Sequence, residues 1–256
     1  MTEARRRPDR PKTLLTVRGR EWINPAMARL TFDAPGFTPT EFTDAYVKLI
    51  FDDEGPVLED LPERPTTRTY TVRSHDPATE RLVLDFVIHG DAGLAAPWAA
   101  RCEPGDQVLA QGPGGKWGPA PEADFLLLVG DESSVPAIEG ALERLDDDAR
   151  GLVILDLHEH AFDLTAPAGI EIRQLVRGDG PYREERLAEE VATLPLAEFG
   201  DVQVFAHGER GAMKALRPIF RELGLSPERL SISGYWALGR VEDEFQAEKR
   251  TEIGKI

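Results

Sequence analysis

The sequence predicts two consecutive folds: an antiparallel β-barrel, then an α/β domain built on a parallel sheet. Three observations predict this. From about Leu14 to Gln111, short segments alternate apolar with polar residues and are separated by turn formers. Gly112-Pro113-Gly114-Gly115 then interrupts the chain. Beyond it, continuous apolar runs alternate with helical patterns, as in a parallel sheet covered on both faces.

In the first half, Ala28, Leu30 and Phe32 alternate with Arg29 and Thr31, the period of a half-buried strand. Tyr46 to Phe51, Arg68 to Arg73, Leu82 to Ile88 and Gln107 to Ala110 read as further strands. Asp52 to Pro56 and Ser74 to Pro77 are connections, and Gly93 to Ala99 opens a helix. In the second half, Phe125 to Val129 is the first strand. The helix expected from Pro136 to about Leu145 puts Ala137, Ile138, Ala141, Leu142 and Leu145 on one face. Strands Leu152–Leu157 and Ile170–Val176, helix Arg186–Leu194, strand Val202–Ala206, helix Ala212–Leu223 and strand Leu230–Ser233 follow. Arg240 to Arg250 reads as a charged helix. The expected division is a disordered basic tail over 1–11, a barrel over 12–119, an α/β domain over 120–238 and a helical tail over 239–256.

Composition narrows the function. A formal net charge of −16 opposes nucleic-acid binding, which needs a basic field. The same acidity opposes any anionic ligand, so a site for one must be locally basic. No apolar stretch approaches the roughly 18 to 20 residues that a membrane helix needs. The basic segment Met1 to Arg10 has no apolar run after it, unlike a secretory signal. The single cysteine, Cys102, excludes an intrachain disulfide and a cysteine-ligated iron–sulfur cluster. It reads as a packing residue, and the cytoplasm is the expected location. No spacing of Cys, His or Asp suggests a metal site, and none of the five histidines has a persuasive nucleophilic partner. A monomer is expected.

Arg68-Thr69-Tyr70-Thr71-Val72-Arg73 is the most informative segment. On a strand, Arg68, Tyr70 and Val72 share one face and Thr69, Thr71 and Arg73 the other. A flavin needs an aromatic surface for its ring, hydrogen bonds at its polar edge and a cation for its phosphates. Tyr70 supplies the first, groups around Thr71 the second, and Arg68, a planar fork, the third. The alternative is an exposed strand that happens to carry Arg and Thr. A second segment strengthens the flavin reading. Asp85-Phe86-Val87-Ile88-His89-Gly90 ends a strand, and Gly93-Leu94-Ala95-Ala96-Pro97-Trp98-Ala99 opens a helix whose first amides face a pyrophosphate. His89 is placed to bond a phosphate or ribose, although taken alone it is a strand-end hydrogen bonder and Trp98 a core residue.

Together these segments resemble the siderophore-interacting protein family. The resemblance continues in Gly130-Asp131-Glu132-Ser133-Ser134-Val135-Pro136-Ala137-Ile138, in Ala206-His207-Gly208-Glu209, and in Gly234-Tyr235-Trp236 with Gly239-Arg240. It implies a ferredoxin-NADP reductase-like fold, an FAD-binding barrel before an NAD(P)H-binding domain, and reduction of ferric siderophores that releases ferrous iron. Two positions depart from the family pattern: Ala96 where a hydroxyl is common, and Ala237 where an arginine is usual. A general NAD(P)H:flavin or quinone reductase, or a non-enzymatic FAD redox sensor or electron carrier, is the alternative.

For the nucleotide, Gly130, Asp131, Glu132, Ser133 and Ser134 lie at the carboxyl end of the first α/β strand, where such sheets bind ligands. Ser133 or Ser134 caps the next helix. There is no Gly-x-Gly-x-x-Gly, and the charges of Asp131 and Glu132 are expected to keep nucleotide binding weak. Gly208 and Glu209 border the same edge. NADH and NADPH are not separated, with the resemblance leaning to NADPH; Arg173, Arg177 and Arg210 are the cations near strand ends. For an anionic ferric siderophore, Lys48, inside an otherwise apolar strand, is the foremost cation, and Arg240, Lys249 and Arg250 near the tail are the further candidates.

Overall fold

A computed structural model describes residues 10–59, 61, 65–88, 93–249 and 251–256. His89, Arg250 and nearly all of the expected basic tail lie outside the described residues. Strands β1 (Lys12–Asn24), β2 (Met27–Asp33), β3 (Tyr46–Phe51), β4 (Thr66–Asp76), β5 (Arg81–Val87) and β6 (Gln107–Gly114) close into an antiparallel barrel in the order β1-β2-β5-β4-β3-β6. Closure removes exposed strand edges. The alternation that predicts β2 is realised: Ala28, Leu30 and Phe32 are fully buried in the barrel core. Strand β1 is longer than its apolar pattern shows. Its inward residues stop at Val17, and a register shift before Gly19 turns the charged stretch Arg18 to Glu21 along the partner strand. Helix α1 (Ala95–Arg101) packs on the barrel through Trp98, whose ring lies 6.1–6.4 Å from Phe32, Phe51 and Phe86. Cys102 is buried there, and burial pushes its thiol pKa up, as an inert packing residue requires.

The second domain comprises β7 (Phe125–Gly130), α2 (Val135–Leu142), β8 (Gly151–Leu157), β9 (Ile170–Val176), α3 (Arg186–Ala192), β10 (Val202–Glu209), α4 (Arg210–Glu222) and β11 (Leu230–Trp236). All pairings are parallel and the order is β11-β10-β7-β8-β9. The chain moves outward from β7 in one direction through β8 and β9, then returns to β10 on its other flank. The carboxyl ends of β7 and β10 therefore flank a topological switch point, where open α/β sheets bind ligands. Leu126 and Leu128 enter the core under α2, whereas Leu127 and Val129 enter the core under α3 and α4. Both β10 and β11 run three residues beyond their expected ends. The extra residues are polar, aromatic or glycine, so no apolar pattern reveals them. They carry His207, Gly208, Glu209, Tyr235 and Trp236 to the sheet's edge. A short helix, α5 (Glu242–Glu248), lies within the charged stretch expected to be helical.

The two domains share a seam. Met27 and Trp117 join the apolar core under α2. Glu139 of α2 accepts from Arg29 Nη2 at 2.8 Å and from Arg73 Nε at 2.6 Å, and Glu143 takes the rest of the Arg73 guanidinium. The second arginine of the Arg68–Arg73 segment is thus an interdomain clamp.

Candidate functional site

The ladder between β4 and β5 begins at Val72–Leu84 and runs only toward Asp76–Arg81. Upstream, Thr66 to Thr71 pair with β3 alone. This splay leaves the β5-facing backbone of Arg68 to Thr71 outside the ladder, and backbone amides and carbonyls so placed need partners. Tyr70 lies beside the splay with its ring centroid 4.2 Å from that of the fully buried Phe86. Thr69 is exposed, and Thr71 turns toward the second domain, where it lies beside the Tyr235 phenol. Burial pushes the phenols of Tyr70 and Tyr235 well above their ordinary range, so both stay neutral. Arg68 Nη1 donates to Asp243 Oδ1 and to the Thr67 carbonyl, each at 3.0 Å. Asp243 belongs to the acidic first turn of α5, whose Glu242 lies close to Tyr70 and Arg68.

Several expected site residues have other tasks. Asp85 is buried, and both its oxygens accept from Arg29 at 2.7 Å, so its charge is spent inside the barrel. Phe86 is a back wall for Tyr70, Val87 packs into the seam, and Trp98 supports from below. Ala95 and Ala96 are buried in the first turn of α1. Gly93, just before α1, has φ +89° with open space where a side chain would stand, so the chain turns there without a Cβ.

The α/β edge corrects the expectation of open negative charge. Asp131 is buried. Its Oδ1 accepts from the Ser133 amide and hydroxyl at 2.9 and 2.5 Å, and its Oδ2 from the Glu209 amide at 2.7 Å and Trp236 Nε1 at 2.9 Å. Burial raises its pKa to about 6. Asp131, not a serine, is the cap, with Ser134 completing a capping box. Gly208, at φ +156°, lets Asp131 approach, since a Cβ there would stand 2.5 Å from Oδ2. Glu209 caps α4 through the Gly211 and Ala212 amides, and accepts from Tyr182 Oη at 3.1 Å and the Leu238 amide at 3.0 Å. Glu132 accepts from the His158 amide. Gly130 closes β7 opposite His207. What sequence reasoning missed here is Trp236, Tyr235 and Tyr182; the signal was the Gly-Tyr-Trp motif itself, read only for resemblance.

Of the expected substrate cations, Lys48 and Lys249 lie within reach of each other's charge: burial lowers the Lys249 pKa, Glu242 opposes, and Lys48 adds a smaller lowering. Lys48 stands opposite Thr69 on β4 and Gln111 on β6. Arg240 does not join them, because Nε donates to Glu248 at 2.7 Å, which also binds Arg210. Among the described residues no group of His, Cys, Asp and Glu is placed to hold a metal, and no helix is long and apolar enough to cross a membrane.

An aromatic face, an unladdered strand edge, a hydroxyl and a fork-shaped cation form a donor set that fits an isoalloxazine and its phosphate chain. Comparison with known proteins agrees. Residues 16–117 match the siderophore-interacting FAD-binding domain, and residues 123–239 match the siderophore-interacting protein family. An uncharacterized protein of Mycobacterium tuberculosis is 38% identical over 94% of this chain and 95% of its own. The ferric vibriobactin reductase ViuB of Vibrio cholerae is 29% identical over 93% and 94%. The crystal structure of SipS from Aeromonas hydrophila superposes with a TM-score of 0.82 at 30% identity, covering 94% of this chain and 97% of that one. For the fold alone, ferredoxin-NADP+ reductase from Plasmodium falciparum gives 0.66 at 11% identity, over 88% and 96%. The barrel, the parallel sheet that follows it and both matched halves place this chain in the siderophore-interacting protein family, with an FAD-binding barrel and a ferredoxin-NADP reductase-like fold.

Proposed function

We propose that this protein is a cytoplasmic reductase that takes electrons from NAD(P)H and passes them through FAD to ferric siderophores, releasing ferrous iron. The observation that carries the reading is the splayed edge of β4, where the Arg68 guanidinium, the unladdered backbone to Thr71 and the Tyr70 ring lie together in a chain of the siderophore-interacting family. Lys48 and Lys249 are the cations offered to an anionic ferric chelate, which a neutral quinone would not need. Ala237, where the family pattern has arginine, is buried.

When bound, FAD supplies the chemistry, accepting hydride and returning electrons singly. The chain's residues hold and orient it. Tyr70, backed by Phe86, would face the ring, and the open edge at Arg68–Thr71 would meet its polar rim. Arg68 would exchange Asp243 for a phosphate. Tyr235, beside Thr71, would close the second-domain side. Asp131 and Glu209 would act by fixing Trp236 and Leu238, which position that aromatic.

The test is the anaerobic visible spectrum of the FAD-loaded protein before and after NADPH or NADH, then after a ferric siderophore. Bleaching followed by recovery of the flavin band supports the reading. A flavin that neither donor bleaches favours a sensor, and bleaching without recovery favours another acceptor. In steady state, Lys48→Ala is expected to raise KM for the ferric chelate roughly tenfold, about the worth of one charge-assisted contact. Its flavin should bleach at the wild-type rate. A slowed bleach with unchanged KM would place Lys48 on the nucleotide side.

A further inference from the structure

The two halves of helix α5 are held by different domains. Phe245 is 1% exposed, with the Arg210 guanidinium 5.7 Å and the Lys249 ammonium 4.5 Å from its ring. Glu248 accepts from Arg210 and from Arg240 Nε, and Ile256, at the end of the tail, packs into the core under α3 and α4. These contacts pin the second half of α5 to the α/β domain. The first turn, Glu242-Asp243-Glu244, reaches the barrel instead. Arg68, 175 residues away in sequence, donates from Nη1 to Asp243 Oδ1 at 3.0 Å and from Nη2 to Oδ2 at 3.4 Å. Glu242 lies close enough to Arg68 and Tyr70 for its charge to act on both.

Acids in a first turn suit the helix dipole, and that accounts for their presence on an exposed helix. It does not account for the fork on Arg68. A carboxylate and a phosphate offer a guanidinium the same thing, two oxygens spaced to meet two N–H groups. Asp243 therefore gives Arg68 the partner that the flavin site needs from a phosphate. Two anions on one guanidinium repel each other, so Arg68 cannot serve both at full strength. The contest is uneven. The Asp243 side chain is 66% exposed, whereas that of Arg68 is 16% exposed. An ion pair with so exposed a partner contributes little, and Asp243 returns to water at small cost. A phosphate forked on Arg68 makes the stronger bonds. The second half of α5 keeps its own anchors when the first turn lets go.

The geometry points to an autoinhibitory latch: the acidic first turn of α5 competes with the flavin phosphate for Arg68, lowers the affinity for FAD, and lifts from Arg68 and Tyr70 as FAD seats. Asp243 is the residue that closes the latch. The inference rests on the reading of Arg68 as the phosphate's cation and names what opposes that cation.

The experiment is fluorescence titration of the full chain, stripped of flavin, with FAD and with riboflavin, which has the ring but no phosphate. Asp243→Asn should bind FAD about two- to fivefold tighter than wild type, as the loss of an exposed competing ion pair implies. Asp243→Ala, which also removes the acceptor, should gain at least as much. Riboflavin should bind all three proteins alike. Hydrogen exchange supplies the second readout, at the amides of Phe245 and Lys249, which bond the Val241 and Phe245 carbonyls. Adding FAD to wild type should quicken their exchange, and adding riboflavin should not. Unchanged or weaker FAD binding in both Asp243 variants overturns the inference, the weaker result making Asp243 a positioner of Arg68. Riboflavin binding that tightens as much as FAD binding also overturns it, because the turn would then cover the ring and not contest the phosphate. Slower exchange in α5 on adding FAD overturns the opening of the latch. Arg68→Ala separates this claim from the one beneath it. If Arg68→Ala leaves FAD affinity unmoved, the phosphate reading fails and the latch fails with it. If Arg68→Ala weakens FAD binding while neither Asp243 variant tightens it, the latch alone fails and the phosphate reading stands.

Discussion

The barrel and the α/β domain treat their motif residues in opposite ways. In the barrel, Arg68 to Thr71 lie on a strand that has left its neighbour, and their polar groups meet side chains from a distant tail. In the α/β domain, the motif acids Asp131 and Glu209 turn inward, their oxygens filled by the chain's own amides, a tyrosine and an indole. A motif of equal clarity therefore lies on an open edge, the proposed flavin site, in one half and is a scaffold in the other. The scaffold still supports that edge: Asp131 holds Trp236 and Glu209 holds Leu238, both just downstream of Tyr235, which lies beside Thr71.

The largest expected effects break the inward half. His207 is buried at the sheet's edge, with Nε2 2.9 Å from Ser231 Oγ and its ring stacked 3.9 Å from Phe205. Burial drives its pKa down from 6.5 to about 3. The unfolded chain binds a proton in that window and the folded chain does not. The contribution is full above pH 6.5 and is lost as pH falls toward 3, by on the order of 4–5 kcal/mol. Urea midpoints of wild type and His207→Gln at pH 7, 5 and 4 should show the acid limb only in wild type. Identical slopes would mean that His207 is not held neutral.

Asp131 has the opposite sign. Its folded pKa is raised from 3.8 to about 6. Its contribution is present below about pH 4 and is lost as pH rises through 6, by up to about 3 kcal/mol. Asp131→Ala leaves the Trp236 indole, the Glu209 amide and the Ser133 amide without their acceptor. The expected cost near pH 4 is about 3 kcal/mol, shrinking as pH rises to 7. A penalty that grows with pH would show a carboxylate stabilised by its donors despite burial.

The next effect tests the outward half. Arg68→Ala should raise the FAD dissociation constant by about 10- to 100-fold, the range of charge-assisted hydrogen bonding to a phosphate. Flavin fluorescence titration of the apoprotein measures it. Unchanged affinity would show that Arg68 serves only Asp243, making the barrel motif scaffold as well.

Most of this organisation is legible in the sequence because it follows from burial. Apolar periodicity reveals every strand of the parallel sheet and five of the six barrel strands, β1 with its charged second half being the one not named. What it cannot reveal is where pairing stops. The break in the β4–β5 ladder and the extension of β10 and β11 depend on residues such as Thr71, Gly208 and Tyr235, whose local preferences are the same on either side of those boundaries. Side-chain destination is equally hidden. Asp85, Asp131 and Asp156 look alike in the chain, yet each is consumed by donors from a remote segment: Arg29, Trp236, or Arg186 with Arg177. Arg73 shows the same limit within one motif, sitting five residues from Arg68 and clamping the domains together.

The smallest effect sharpens the comparison where the halves meet. Glu139 Oε2 accepts from both Arg29 and Arg73. In Glu139→Gln the charge is gone, and the amide's single oxygen cannot satisfy both guanidiniums as well. Neither arginine is orphaned, because Arg29 keeps Asp85 and Arg73 keeps Glu143. Since Glu143 is largely exposed and weakly bound partners contribute little, the net loss should be about 1 kcal/mol, read as a lower urea midpoint. FAD affinity should not move, as Arg73 faces away from the Arg68–Tyr70 side of β4. If Glu139→Gln weakens FAD as much as Arg68→Ala does, the flavin site is assembled by the seam, and the barrel motif does not form it alone.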